Sequence, residues 1–164
     1  MPLKVVGGLG RGGYAVVVKV EHTEDQTVFA MKVISKERAQ SKREQDRLKI
    51  ELHVMTETEP SPFLLHCHMA FETSSRIFFV LDFVGGEDLF SHLVNCVKKG
   101  SSGFKEAEAR ILLAEITVAL EHLHSRGFIH RDIKVCLPIV LNYVFPSFYE
   151  FKVSILRSLT FSSF

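Results

Sequence analysis

Between residues 3 and 34 the chain is rich in Gly and Val, and its apolar positions fall into short blocks: Val16-Val17-Val18-Lys19-Val20, then Val28-Phe29-Ala30-Met31-Lys32-Val33-Ile34. This pattern predicts three antiparallel strands, with Thr23-Glu24-Asp25-Gln26 as a hairpin turn. Residues 36–57 are charged and then amphipathic. Leu48, Leu52 and Met55 recur at helical spacing beside Ile50 and Val54, and Pro60-Ser61-Pro62 ends the helix. Residues 63–84 predict two more strands, split by the polar Glu72-Thr73-Ser74-Ser75. The second, Arg76-Ile77-Phe78-Phe79-Val80-Leu81, is almost wholly apolar and is therefore expected to be central. Gly85-Gly86 breaks that strand. A short helix is expected from Asp88 to about Val94, then a loop Lys98–Gly103, then a long helix Lys105–Ser125. The long helix carries Ile111, Leu112, Ile116, Ala119, Leu120 and Leu123 on one face, with Gly127 as its stop. Strands first and helices after, joined through two glycines, read as a two-lobed α+β protein.

Composition narrows the class. The chain has 164 residues and a formal net charge of +1, so no overall field favours nucleic acid or a membrane surface as partner. An apolar fraction of 46% is that of a globular chain. Cys67, Cys96 and Cys136 are odd in number and never spaced Cys-x-x-Cys, which fits free thiols in a reducing compartment better than disulfides or zinc. The first residues lack the apolar stretch of a signal peptide, and no apolar run approaches the roughly 20 residues of a membrane helix. A cytoplasmic, soluble protein is the expectation.

Four local patterns carry candidate chemistry. In Leu9-Gly10-Arg11-Gly12-Gly13-Tyr14-Ala15-Val16-Val17, glycines let a hairpin lie close over phosphates, with backbone N–H groups facing them. Lys32 sits inside an apolar strand, where a buried ammonium needs an anionic partner. Glu51, on the amphipathic helix near Leu48, Leu52 and Val54, would supply one. In His130-Arg131-Asp132-Ile133-Lys134 an aspartate in a loop can orient and deprotonate a hydroxyl, and a lysine two residues on can neutralise a phosphoryl group. Taken singly, each has a plainer reading: a tight turn, a lysine snorkelling to solvent, a surface glutamate, a salt-bridged turn. His66 and His68 flank Cys67 and would share a strand face. No nearby carboxylate or second cysteine completes a metal site, so these histidines are expected to be structural and no metal ligand is assigned.

Taken in order and at these spacings, the patterns resemble a eukaryotic serine/threonine protein kinase over about residues 3–134. Tyr14-Ala15 and the stretch Thr73–Val84 are similar to atypical protein kinase C. Gly86-Glu87-Asp88-Leu89-Phe90-Ser91-His92-Leu93 is similar to the AGC group generally, S6-kinase-like members included. The resemblance implies an α+β fold: a five-stranded antiparallel N-lobe with helix C over residues 3–84, then a hinge and the first helices of an incomplete C-lobe over 85–134. It also implies ATP-dependent phosphorylation of Ser or Thr in protein substrates. Leu9, Gly10, Gly12, Gly13, Tyr14 and Ala15 would form the loop over the phosphates. Val17 and Ala30 would pack on adenine. Lys32, held by Glu51, would contact the α- and β-phosphates. Leu81 would be the gatekeeper, the backbones of Asp82 and Val84 would meet the adenine edge, and Asp88 the ribose. Asp132 would be the catalytic base, and Lys134 would approach the γ-phosphate.

The resemblance stops after Lys134. The family continues with a magnesium-binding asparagine and then Asp-Phe-Gly, whereas this chain reads Val135-Cys136-Leu137-Pro138 and carries five phenylalanines in its last 30 residues. Mg2+ is thus implied for the complete domain, with its ligands not found here. Residues 135–164 are expected to be a non-family tail, either translated intron (Val-Cys is encodable as GTATGT, a splice-donor pattern) or a short isoform end. Phosphoryl transfer by this chain is expected to be impaired. The rival expectation is a non-catalytic interaction module, or an incomplete gene model; AGC small lobes accept an aromatic tail motif in a pocket near the positions of Lys36 and Ile77.

Overall fold

The structure, a computed structural model, describes residues 2–12, 15–57, 61–86 and 89–129, together with the backbone of two short strands in the last third of the chain. The chain divides into two compact units: Met1–Thr58 with His66–Phe83, and Glu59–Leu65 with Val84–Phe164.

The first unit is a five-stranded antiparallel sheet with one helix. The strands are β1 (Leu3–Arg11), β2 (Ala15–His22), β3 (Val28–Ser35), β4 (Cys67–Glu72) and β5 (Arg76–Asp82), in spatial order β1-β2-β3-β5-β4. The apolar Arg76–Leu81 segment is therefore interior, paired on both sides, as its composition demanded. The β2–β3 turn closes through His22 N–H donating to the Thr27 carbonyl at 2.8 Å and Gln26 N–H donating to the His22 carbonyl at 2.9 Å. Gln26 takes a left-handed φ of 62° there, and Asp25 braces the turn by accepting the Thr27 N–H at 2.9 Å.

Helix α1 (Lys42–Glu57) lies against β4. It opens with a capping box written in the sequence as Ser41-x-x-Glu44. The Glu44 N–H donates to Ser41 Oγ at 3.2 Å, and Ser41 Oγ–H and N–H reach Glu44 Oε2 at 2.7 and 3.3 Å. Leu48, Glu51, Val54 and Met55 are buried, so the helix turns inward the stripe that its apolar spacing predicted, with a carboxylate in the middle.

Both faces of the sheet are apolar. One carries a cluster of Val20, Met31 and Val80, packed round by Leu3, Val18, Phe29, Val33, Met69 and Phe78. The other carries Ala30, Lys32 and Ile34 of β3 and Phe79 and Leu81 of β5, all buried. Phe79, Ile34 and Leu81 are among the most completely enclosed side chains, each worth about 2 to 3 kcal/mol of burial.

In the second unit, helix α2 (Leu89–Lys98) runs a full turn longer than its sequence suggested. Helix α3 (Glu106–His124) follows. The Lys105 N–H donates to Glu108 Oε2 at 3.0 Å at its start. Gly127 ends it with φ 79°, while Gly127 N–H and Phe128 N–H donate to the His124 and Leu123 carbonyls at 3.0 Å. That is a Schellman closure, and it explains why glycine stands at this position. Leu112, Ala119 and Leu123 are buried, but Ile111 is 43% exposed and falls off the apolar face assigned to it from spacing. Two strands that the sequence did not suggest, β6 (Ile139–Leu141) and β7 (Phe151–Val153), pair antiparallel.

Candidate functional site

The antiparallel register gathers four of the residues singled out above onto one face of the first unit. Directly opposed residues share a face. Val17 opposes Lys32 and Lys19 opposes Ala30 across β2–β3. Ala30 opposes Leu81, and Lys32 opposes Phe79, across β3–β5. Val17, Ala30, Lys32 and Leu81 therefore form one patch. Ala30, Lys32 and Leu81 within it are 3%, 4% and 0% exposed.

Lys32 Nζ donates a hydrogen bond to Glu51 Oε1 and forms a salt bridge with it. Both residues are 4% exposed and are the buried charged residues of the described core. Taking two ions out of water costs several kcal/mol each, and hydrophobic residues of similar volume would pack there at no such cost. A buried pair of this kind fixes an ammonium at one place on an apolar wall, which is what a polyanion-binding site needs. Cys67, at the start of β4, lies in the same field. Burial pushes its thiol up from its ordinary value, and the Glu51 carboxylate adds to the rise.

The glycine loop spans the end of β1 and the start of β2. Gly12 N–H donates to the Ala15 carbonyl at 2.8 Å across its tip. The ladder is irregular between Gly8 and Gly10 and resumes with Gly10 opposite Val17. A Cβ placed on Gly10 would meet nothing within 4 Å, and its backbone is not left-handed. The protein's own packing therefore does not require glycine there, and the room above it is open to a ligand. Leu9 is exposed, as befits a loop edge.

After β5 the chain passes through Phe83, whose ring lies under the Lys19 ammonium at 4.8 Å from its centroid. Asp82 is tied to the approach to β4: its backbone N–H donates to the His66 carbonyl at 3.1 Å, and its Oδ2 accepts the His66 N–H at 2.9 Å. Its Oδ1 lies 2.8 Å from His68 Nε2. No carboxylate close in sequence was expected to complete a site with His66 and His68. The fold brings a carboxylate in, because β5 returns Asp82 alongside them across 14 positions of sequence. Among the described residues no group of three His, Cys, Asp or Glu side chains is arranged to hold a metal ion. Val84 is half-buried and belongs to the second unit. Gly13, Tyr14, Asp88, Asp132 and Lys134 lie outside the described residues.

A family profile described as protein kinase domain matches residues 3–136. The chain is 39% identical over 127 residues to rabbit (Oryctolagus cuniculus) protein kinase C zeta type, covering 77% of this chain and 21% of that protein. It is 36% identical over 126 residues to the serine/threonine-protein kinase sgk-1 of Caenorhabditis elegans, covering 77% and 26%. It is 39% identical over 127 residues to atypical protein kinase C of Drosophila melanogaster, covering 77% and 20%. The chain thus spans a fifth to a quarter of the length of these relatives.

Proposed function

The chain belongs to the protein kinase family, and from that premise we propose that residues 3–84 are a nucleotide-binding small lobe serving ATP-dependent phosphorylation of serine or threonine in protein substrates. The observation that carries this reading is the buried Lys32–Glu51 pair on the same sheet face as Val17, Ala30 and Leu81. An apolar slot suits a purine, and a fixed ammonium beside it suits phosphates. The open room above Gly10 gives the phosphates space under the loop. In this reading Leu9 to Ala15 cover the phosphates and Lys32 meets the α- and β-phosphates. The Asp82 and Val84 backbones read the adenine edge, and Asp88 meets the ribose. Bound ATP supplies the phosphoryl group. Asp132 orients the substrate hydroxyl and takes its proton, and Lys134 neutralises charge on the group in transit. Residues 85–134 form the hinge and the start of the helical lobe, and 135–164 a tail outside the family pattern. The family's asparagine and Asp-Phe-Gly ligands for Mg2+ are not found in residues 135–164. Phosphoryl transfer by this chain is therefore impaired in this reading. The odd number of cysteines without Cys-x-x-Cys spacing fits a reducing compartment, and we place this chain in the cytoplasm.

The test is nucleotide affinity of the 164-residue chain, read beside radiolabel transfer to a basic serine peptide. Lys32→Met is expected to weaken ATP binding by about tenfold or more, since charge-assisted contacts to phosphate are lost. Asp132→Asn is expected to leave binding intact while removing whatever transfer the wild type shows. Equal ATP affinity in wild type and Lys32→Met would refute the assignment. Absence of transfer and of ATP binding, with retained affinity for a phenylalanine-rich peptide, would support an interaction module at Lys36 and Ile77 instead.

A further inference from the structure

β4 and β5 fall out of step at one place. Cys67 opposes Leu81 and Met69 opposes Val80, so two steps along β4 match one along β5, and His68 is the extra residue. A bulge of this kind re-aims a side chain. Here it brings the His68 imidazole to the end of β5, with Nε2 2.8 Å from Asp82 Oδ1. The ring is held edge-on by Phe29 at 5.0 Å and by His66 at 5.2 Å between centroids. Phe29 is also the residue opposite Asp82 on β3. The other carboxylate oxygen and the backbone N–H of Asp82 are both engaged with the main chain of His66. Asp82 is thus gripped through its side chain and its peptide at once, at the last residue of β5.

Nothing in the phosphate chemistry needs either side chain. What the proposed site needs from this position is the Asp82 backbone, held where it can meet one edge of a base. Hydrogen-bond discrimination depends on distance and angle within a few tenths of an ångström, so the peptide's placement decides which base edge fits. We infer that the His68–Asp82 pair is a positioning clamp that sets the base selectivity of the nucleotide site and takes no part in phosphate binding. This rests on the nucleotide-binding reading above. It assigns a role to a histidine–carboxylate pair that the sequence left as structural histidines.

The experiment compares affinities of the 164-residue chain for ATP, GTP and inorganic tripolyphosphate, each by competition against a fluorescent nucleotide. The proteins are wild type, His68→Ala, His68→Gln, Asp82→Ala, the His68→Ala/Asp82→Ala pair, and Lys32→Met. Ratios between ligands within one sample do not depend on the fraction that is folded. His68→Ala and Asp82→Ala are expected to weaken ATP by about tenfold, the scale of one lost charge-assisted hydrogen bond. Tripolyphosphate should stay within about twofold of wild type, because its contacts are untouched. The ATP-to-GTP preference should shrink in both variants, and the double variant should be no worse than either single one. His68→Gln, which keeps an N–H donor near Nε2, should recover most of the loss. Parallel weakening of ATP and tripolyphosphate, or an unchanged ATP-to-GTP ratio in both alanine variants, overturns the clamp and leaves the nucleotide site standing. A wild type that binds none of the three ligands, or a Lys32→Met that binds them all as wild type does, overturns the nucleotide reading and the clamp with it.

Discussion

Lys32 and Glu51 are each withdrawn from water almost completely, and each is tolerable only because the other is there. Removing one partner leaves a buried charge unpaired, which costs about 3 to 5 kcal/mol, whereas replacing both with apolar residues is often close to neutral. Lys32→Met and Glu51→Leu are therefore each expected to lower unfolding free energy by about 3 kcal/mol or more, with the double variant recovering most of it. Urea melts of the four proteins measure this, and additive losses would show that the two groups are not coupled. Gln26 makes a smaller case at the same scale. Its φ of 62° costs a non-glycine residue roughly 1 kcal/mol, so Gln26→Gly should stabilise by up to about that amount in the same melts. The sequence showed Lys32 because an ammonium among six apolar strand residues is conspicuous, and the need for a carboxylate then pointed to Glu51. It did not show His68 meeting Asp82. That contact depends on a one-residue bulge, and a bulge leaves no mark in an apolar pattern that reads equally well in either register.

Among the elements, the strands and α1 were legible because both faces of the sheet are apolar and α1 has a clean stripe; even its Ser41-x-x-Glu44 cap is written in the chain. Helix α3 was legible in extent and less so in facing. Apolar residues surround much of it, so periodicity alone does not choose which of them turn inward. Glu115 sits within this helix with Oε2 buried and without a partner among the described residues. Burial raises its carboxyl from the usual 4.5 to about 7. The folded chain thus holds a proton that the unfolded chain has released. Stability from this group is complete below about pH 4.5, falls as pH rises, and is lost once pH passes about 7. Glu115 is only partly buried, so the effect is damped. Glu115→Gln should raise the melting temperature by a few degrees at pH 8 and leave it unchanged at pH 4. A variant that melts with wild type at both values would mean that the carboxylate is solvated rather than confined.

For the chain as a whole, the informative feature is where large apolar side chains meet water. On α3, Leu112, Ala119 and Leu123 form the buried stripe, while Ile111 and Val118 flank it on one side and Leu113 on the other, at 43%, 45% and 64% exposure. Residues seven apart on a helix share a face and neighbours in sequence sit about 100° round, so these three extend the stripe in both directions. A helix that is apolar over so much of its circumference is suited to contacts on several sides, and in water it drives association. Phe90 and Val97 on α2 add to the exposed apolar area of the same unit. The 164-residue chain is expected to bind a hydrophobic dye and to sediment as concentration-dependent oligomers. Replacing Ile111, Leu113 and Val118 together by glutamine removes apolar area that folding does not bury, so it should leave the melting temperature within about 2 °C while lowering both dye binding and oligomer mass. A triple variant that self-associates as the wild type does would move the sticky surface elsewhere, to the exposed Val5, Val16 and Phe71 of the first unit. A triple variant that unfolds would show that α3 already uses these side chains within the folded chain.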